Sequence, residues 1–219
     1  MTGADLLFVE STHEYRRPDG LLVPSVTQIL EAVGVSTDWE LLRRQGPAMA
    51  AAIDRKQEIG RALHLDAHAY DDGDLDLATV HPAVLPYVEA WAVCRANLRL
   101  EPLQRERRLY SEALGFCGTV DAICVRNGDH DRLILIDLKT GDVDDAAAQY
   151  QTAAYAILWN SEHPDRLIRE RWAVELTPDR AVPYRIHNFT ATPDHWKDAQ
   201  YFQAFVVTYY RQAVRRIGR

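Results

Sequence analysis

Cysteine is scarce in this sequence. Cys94, Cys117 and Cys124 are the only three in 219 residues, too few and too scattered for a disulfide framework or a four-cysteine cluster. They read as reduced core thiols of a cytosolic protein. No apolar run approaches the ~20 residues of a membrane span, so no membrane partner is expected. The opening MTGADLLFVEST has neither the basic region nor the apolar stretch of a signal peptide. Positive charge is also in deficit: 25 Lys and Arg against 32 Asp and Glu give a net charge of −7. That excludes a protein that coats nucleic acid through bulk charge. It does not exclude an enzyme with a local basic channel, because a metal site concentrates carboxylates. Repeats and low-complexity tracts are absent. What remains is 47% hydrophobic and 26% charged, ample for a core in a single domain over residues 1–219.

Part of the acidity sits in residues 71–76 (DDGDLD), which read as a solvated loop. Basic residues cluster elsewhere: Arg43 and Arg44, Arg55 with Lys56 and Arg61, Arg105 with Arg107 and Arg108, and the tail 211–219.

The chain opens with a short hairpin pattern turning at Pro18-Asp19-Gly20. A helix is expected from Ser25, which has capping-box spacing to Gln28 and is followed by Val26, Ile29, Leu30 and Val33 at helical period. Gly34 ends it. A second helical region runs from about 39 to 70, broken at Gly46-Pro47, and Pro82 introduces a helix to about 98. Strands are expected over 103–110, 115–125 and 132–138, with Asn127-Gly128-Asp129 as a turn. An alanine-rich helix over 146–159, strands over 171–176 and 184–187, and a final helix over 194–217 complete an α/β (α+β) layered domain. Its parts are helical to about 100, a catalytic sheet core over about 101–190, and a C-terminal helix from about 191.

The strongest local feature is the pair GTVDAICV and LILIDLKTGD. If they form a hairpin across the five-residue loop 127–131, Asp121 lies opposite Asp137, with Cβ atoms ~5 Å apart on one sheet face. Lys139 points the same way, and Ile123, Val125, Leu133 and Leu135 form an apolar floor. Like charges directly opposite destabilise a strand pair unless a divalent cation lies between them. Oxygen-rich sites suit Mg²⁺ or Mn²⁺, which would polarise a phosphodiester and generate hydroxide. Lys139 would orient that water or offset charge on phosphorus. A structural ion cluster at a sheet end is the alternative, and the hairpin alone does not choose between them.

His64, on the upstream helix, offers a nitrogen ligand or is simply a partly buried helix histidine. His68 shares its face at a zinc-like spacing, but the glutamate of a His-Glu-x-x-His motif is missing, so a separate zinc site is not expected. Gln151 and Tyr155 are one helical turn apart. They either reach phosphate and order metal-bound groups, or pack and solvate. Gln149 falls on another face. Glu106 is a further carboxylate or a surface partner of Arg105 or Arg107.

Together these residues resemble the RecB-like exonuclease branch of the PD-(D/E)XK nuclease superfamily. The branch pattern is a glycine and histidine on a helix, a glutamate, Gly-x-x-Asp, Asp-x-Lys-Thr and Gln-x-x-x-Tyr. Here it reads Gly60 and His64, Glu106, Gly118 to Asp121, Asp137-Leu138-Lys139-Thr140, and Gln151 to Tyr155. The segment VPSVTQIL is also similar to the Pro-Ser-Val-Thr segment of the mitochondrial genome maintenance exonucleases and related bacterial and phage nucleases.

The resemblance implies a restriction-endonuclease-like αβββαβ core with extra N- and C-terminal helices. It implies His64, Asp121, Asp137 and the Leu138 carbonyl as ligands of Mg²⁺ or Mn²⁺. Lys139 is then catalytic, with Glu106, Gln151 and Tyr155 beside it. The implied substrate is DNA, as single strands or duplex ends, in repair, recombination or replication. Ser25, Thr27, Arg61 and Thr140 would lie near that DNA, Ser25 at a capped helix start that suits phosphate or only as a cap. The basic clusters near Arg55 and Arg61, or Arg105 to Arg108, would guide the backbone. The iron–sulfur members carry four cysteines, so no iron–sulfur cluster is expected. No helicase motif is present, so processivity would come from a homo-oligomer or a recombination partner protein. No transit segment is evident, and the cytoplasm of a bacterium or phage-infected cell is the expected location. Three rivals stand: an endonuclease of the same fold, a non-catalytic nucleic-acid-binding module, and a zinc hydrolase at His64 and His68.

Overall fold

A computed structural model describes residues 2–9, 12, 14–143 and 145–217. Strands β1 (Leu7–Val9), β2 (Glu14–Arg16) and β3 (Leu22–Val23) form a small antiparallel sheet. The expected hairpin is thus a three-stranded meander. Its Pro18-Asp19-Gly20 turn joins β2 to β3, while Glu10, Ser11 and His13 lie outside the described residues, as do residues 218 and 219 of the basic tail.

Helix α1 (Val26–Ala32) starts at the expected capping box. Ser25 Oγ accepts from the Gln28 amide at 3.2 Å, and Gln28 Oε1 accepts from the Ser25 amide at 2.9 Å, satisfying two donors that a helix start leaves free. Helices α2 (Trp39–Arg43) and α3 (Pro47–Asp72) are separated by Gly46, whose φ of +140° no L side chain adopts easily. Helix α4 spans Leu85–Leu98.

A five-stranded sheet follows in the order β4 (Leu100–Ser111), β5 (Phe116–Arg126), β6 (Leu133–Lys139), β7 (Ile168–Leu176) and β8 (Tyr184–Asn188). The first three strands are an antiparallel meander. Helix α5 (Asp145–Glu162) carries the chain back, so β7 lies parallel to β6, the connection a parallel pair requires. β8 closes the far edge antiparallel. The order α4-β4-β5-β6-α5-β7 is the αβββαβ order expected, and the class is α+β.

Helices cover both sheet faces, which is why LILIDL in β6 is apolar at nearly every position. Leu133 and Leu135 join α1, α5 and α6 (Lys197–Ile217) through Val26, Leu158 and Phe202. Ile134 and Ile136 point the other way, to Leu63 of α3 and Trp91 of α4, as the two-residue strand period dictates. Each such fully buried side chain contributes about 1.5–3 kcal/mol, so the central strand is fixed in register and its C-terminal end is held firmly. Helix α6 is tied to β7 by a buried ion pair, Arg171 Nη2 to Asp198 Oδ2 at 2.6 Å. No described helix is long and apolar enough to cross a membrane.

Candidate metal centre

Strands β5 and β6 pair through Cys124↔Ile134, Ile123↔Leu135 and Ala122↔Ile136. This register carries Asp121 toward Asp137, but the ladder stops one step short. At that fork Asp121 turns its carboxylate into the gap, and Oδ2 accepts the backbone amide of Leu138 at 2.6 Å. A side chain has replaced the next backbone partner, which fixes Asp121 against β6. On the other side, β4 pairs through Arg105↔Ala122 and Arg107↔Val120, so Glu106 falls beside Asp121. Glu106 has φ +44°, a left-handed backbone that costs a non-glycine residue about 1–3 kcal/mol and collects at functional sites. By register, three acids stand on three adjacent strands.

Helix α3 adds a nitrogen. His64 Nδ1 lies 3.3 Å from Asp121 Oδ1 and 3.8 Å from Glu106 Oε1. One ligand atom each from His64, Glu106 and Asp121 lie within 4.8 Å of one another. Two buried polar atoms here have no hydrogen-bond partner, His64 Nδ1 and Asp137 Oδ2. Burial, then the Asp121 charge, pushes the Glu106 carboxyl up to about 8. Burial also raises Asp121; Asp137 adds to this, while His64, Lys139 and the Leu138 amide oppose it. Crowded, desolvated carboxylates cannot all ionise without a cation. The donor set of oxygens and one imidazole nitrogen, with His64 Nδ1 buried and without a hydrogen-bond partner, fits a divalent ion.

Asp137 takes a different partner. Its Oδ2 lies 2.8 Å from Lys139 Nζ, an ion pair outside the alignment of a hydrogen bond. Lys139 Nζ donates to Gln151 Oε1 at 3.1 Å, and Gln151 Nε2 donates to Tyr155 Oη at 3.0 Å. Burial alone would lower the Lys139 pKa, but Asp137 and Asp121 outweigh it and the ammonium is strengthened. Burial holds the Tyr155 phenol well above its ordinary range. The compact group therefore contains Glu106, expected only as an accessory, while Asp137 is held by its neighbouring lysine. Leu138 lends its amide to Asp121.

The other expected residues lie on α1, α3, α5 and the turn after β6. Ser25 is buried, its hydroxyl committed to the α1 cap and to Thr27 Oγ1 at 3.0 Å, while Thr27 itself is exposed. Arg61 is exposed on α3, and Thr140 faces Gly60. His68 Nε2 pairs with Asp72 at 3.0 Å rather than joining His64. Gln149 turns to Asp198. Among the basic clusters, Arg43 is bound to Asp54 and Gln57, Arg105 to Asp72 and the Asp71 carbonyl, and Arg108 to the Leu6 carbonyl. These cations brace the fold.

The acidic stretch is corrected by the structure. Residues 71 and 72 end α3, and the Asp71 side chain is only 3% exposed, accepting from Trp91 Nε1 at 3.0 Å and pairing with Arg95. The solvated-loop reading fails there because α4 brings two donors to that carboxylate, partners 20 and 24 residues away in sequence.

A cleft of about 670 Å³ lies between the N-terminal half of α3 and the turn after β6, lined by Arg55, Lys56, Tyr87 and Gly141 among others. Its two walls are far apart in sequence. The only advance signal was the basic pair Arg55-Lys56.

No protein-family model matches the chain, and no curated protein does. Among solved structures, it is similar to a putative exonuclease from Eubacterium rectale, with 14% identity and a TM-score of 0.45 over 68% of this chain and 63% of that one. It is also similar to the protein SSO0001, with 17% identity and a TM-score of 0.40 over 84% of this chain and 74% of that one. The chain thus spans less than two thirds of the first of these.

Proposed function

We propose that this chain is a single-domain, divalent-metal-dependent nuclease of the RecB-like PD-(D/E)XK branch, an exonuclease that hydrolyses phosphodiester bonds at DNA ends or in single strands. The observation that carries this reading is the convergence of His64, Glu106 and Asp121 within 4.8 Å, beside the Asp137–Lys139 pair. These three, with Asp137 and the Leu138 carbonyl, would hold Mg²⁺ or Mn²⁺. Bound there, such an ion would acidify a water and neutralise charge on the phosphoryl oxygens.

The protein groups then have distinct tasks. Asp121 is pre-oriented by the Leu138 amide. Lys139, kept protonated by its two acids and braced by Gln151 and Tyr155, presents positive charge to the oxygens that gain charge in the transition state. Glu106 carries a proton in the ion-free protein and gives it up when a cation enters. Repair, recombination or replication in a bacterial or phage-infected cell is the proposed setting.

End-labelled linear and circular single-stranded DNA, incubated with Mg²⁺ or Mn²⁺, tests this. Linear DNA should be digested and circles spared, and Lys139→Ala should lose turnover. Cleavage of circles would make the chain an endonuclease. Tight binding without cleavage in Mn²⁺ would make it a binding module.

A further inference from the structure

Lys56, Gly60 and His64 follow one another at four-residue spacing on α3, so they share a face of that helix. This stripe runs from an exposed lysine, past a glycine, to the candidate ligand. The turn after β6 lies opposite. A Cβ at Gly141 would stand 3.0 Å from Lys56 Nζ, and one at Gly60 would stand 3.8 Å from Thr140 Oγ1. The two walls therefore approach each other closely at glycines. Ala48, Ala51 and Ala52 keep the helical wall low.

The charge of the cleft is opposite to that of the chain. Arg55 and Lys56 line it against one carboxylate, Asp142, in a protein of net charge −7. Unlike Arg43 and Arg105, neither cation forms an ion pair among the described residues. Lys56 rests over Trp39 with its ammonium 6.0 Å from the ring centroid.

We propose that this cleft is a phosphate-binding site for a single strand of nucleic acid, held by Arg55 and Lys56 a few nucleotides from the bond that is cut. It rests on the nuclease reading. Lys56 is eight residues from His64, about 12 Å along a helix that rises 1.5 Å per residue. That is roughly three to four stacked nucleotide steps at 3.4 Å each. Cations of this kind grip the backbone and read no base. The cations stand on one wall only, with Asp142 on the other, so the cleft grips one backbone and offers nothing to a second.

Fluorescence anisotropy with a single-stranded dodecanucleotide, in Ca²⁺ to hold back turnover, is the direct test. Arg55→Ala and Lys56→Ala should each weaken binding about tenfold at low salt and lower the log–log salt slope by about 0.7. KM for the same strand in Mn²⁺ should rise in parallel, with kcat kept. Asp142→Asn should tighten binding, and Arg126→Ala, at the opposite end of the sheet where β5 turns into β6, should change nothing. Unchanged affinity and slope in both cleft variants overturns the site, and equal binding of a duplex through the same two cations overturns the single-strand assignment. If the parent binds but cleaves nothing, and Lys56→Ala still loses affinity, the cleft stands and the nuclease reading falls. A parent that binds no strand removes both.

Discussion

The ring of Tyr155 occupies the space that a side chain on Gly118 would need: a Cβ there would stand 2.5 Å from Tyr155 Cε1. Strand β5 and helix α5 are thereby in direct contact three residues before Asp121. Because Tyr155 also braces Gln151, and Gln151 holds Lys139, the missing side chain at 118 bears on the position of the ammonium. Gly118→Ala should cost about 1–3 kcal/mol in denaturant unfolding, as overpacking does. Combined with Tyr155→Leu, the loss should be smaller than the sum, because the two changes share one contact. Strict additivity would show that the contact is loose.

Lys139→Ala should act twice. It removes the charge proposed to face the phosphate, so metal-dependent cleavage should disappear. It also leaves Asp137, whose side chain is 3% exposed, without its cation. The ion-free variant should then be less stable by on the order of 3 kcal/mol, and saturating Mn²⁺ should restore more stability to it than to the parent. A thermal shift series with and without the ion reads this difference. Equal shifts in the two proteins would place the bound ion away from Asp137.

The raised Glu106 carboxyl gives a pH signature. Its folded pKa of about 8 exceeds the ordinary 4.5, so the folded, ion-free protein keeps a proton that the unfolded chain releases. The stability from this group is complete below about 4.5 and is lost as pH climbs through about 8. A divalent ion must displace the same proton. Its apparent affinity should therefore rise about tenfold per pH unit until Glu106 is ionised, then level. Mn²⁺ titration by electron paramagnetic resonance should show that bend in the parent and a shallower rise without it in Glu106→Gln. A flat parent profile would remove Glu106 from the ligand set.

Asp71→Ala should be among the most damaging changes remote from the acids. It would strand Arg95, whose guanidinium is otherwise paired with a buried carboxylate, at a cost of about 3–5 kcal/mol. Arg95→Met in the same chain should recover much of the loss. If Asp71→Ala melts with the parent, the pair is not a stabilising one.

Much of this was legible in the sequence, and the reasons differ by element. The capping box at Ser25 and the strand β6 declared themselves because their causes are local: a hydroxyl three residues from an amide donor, and a run of apolar residues that only a doubly covered strand tolerates. The pairing frame of β5 with β6 followed from one turn signal. What stayed hidden was set by tertiary contact. Asp71 looked like solvent-facing charge because Trp91 and Arg95 reach it from another helix. The left-handed backbone at Glu106 has no signature in its neighbours. That Asp137 would spend its oxygen on Lys139, two residues on, depended on the fork between strands, which periodicity does not reveal. The nearness of Lys56 to Gly141 joins residues with no sequence relation at all.

Helix α3 is pinned unevenly. Asp71 and Asp72 fasten its last turn to Arg95 and Arg105, whereas its first turns, past Gly46, border an open cleft. This helix of 26 residues, about 39 Å long, is seated in the core at Leu63, where it presents His64, while its first turns carry Arg55 and Lys56 on the cleft wall. Lys56 and His64 are about two turns apart, so a substitution on the cleft wall leaves the seat of the imidazole untouched, and grip and ligand position can be altered one at a time within a single helix.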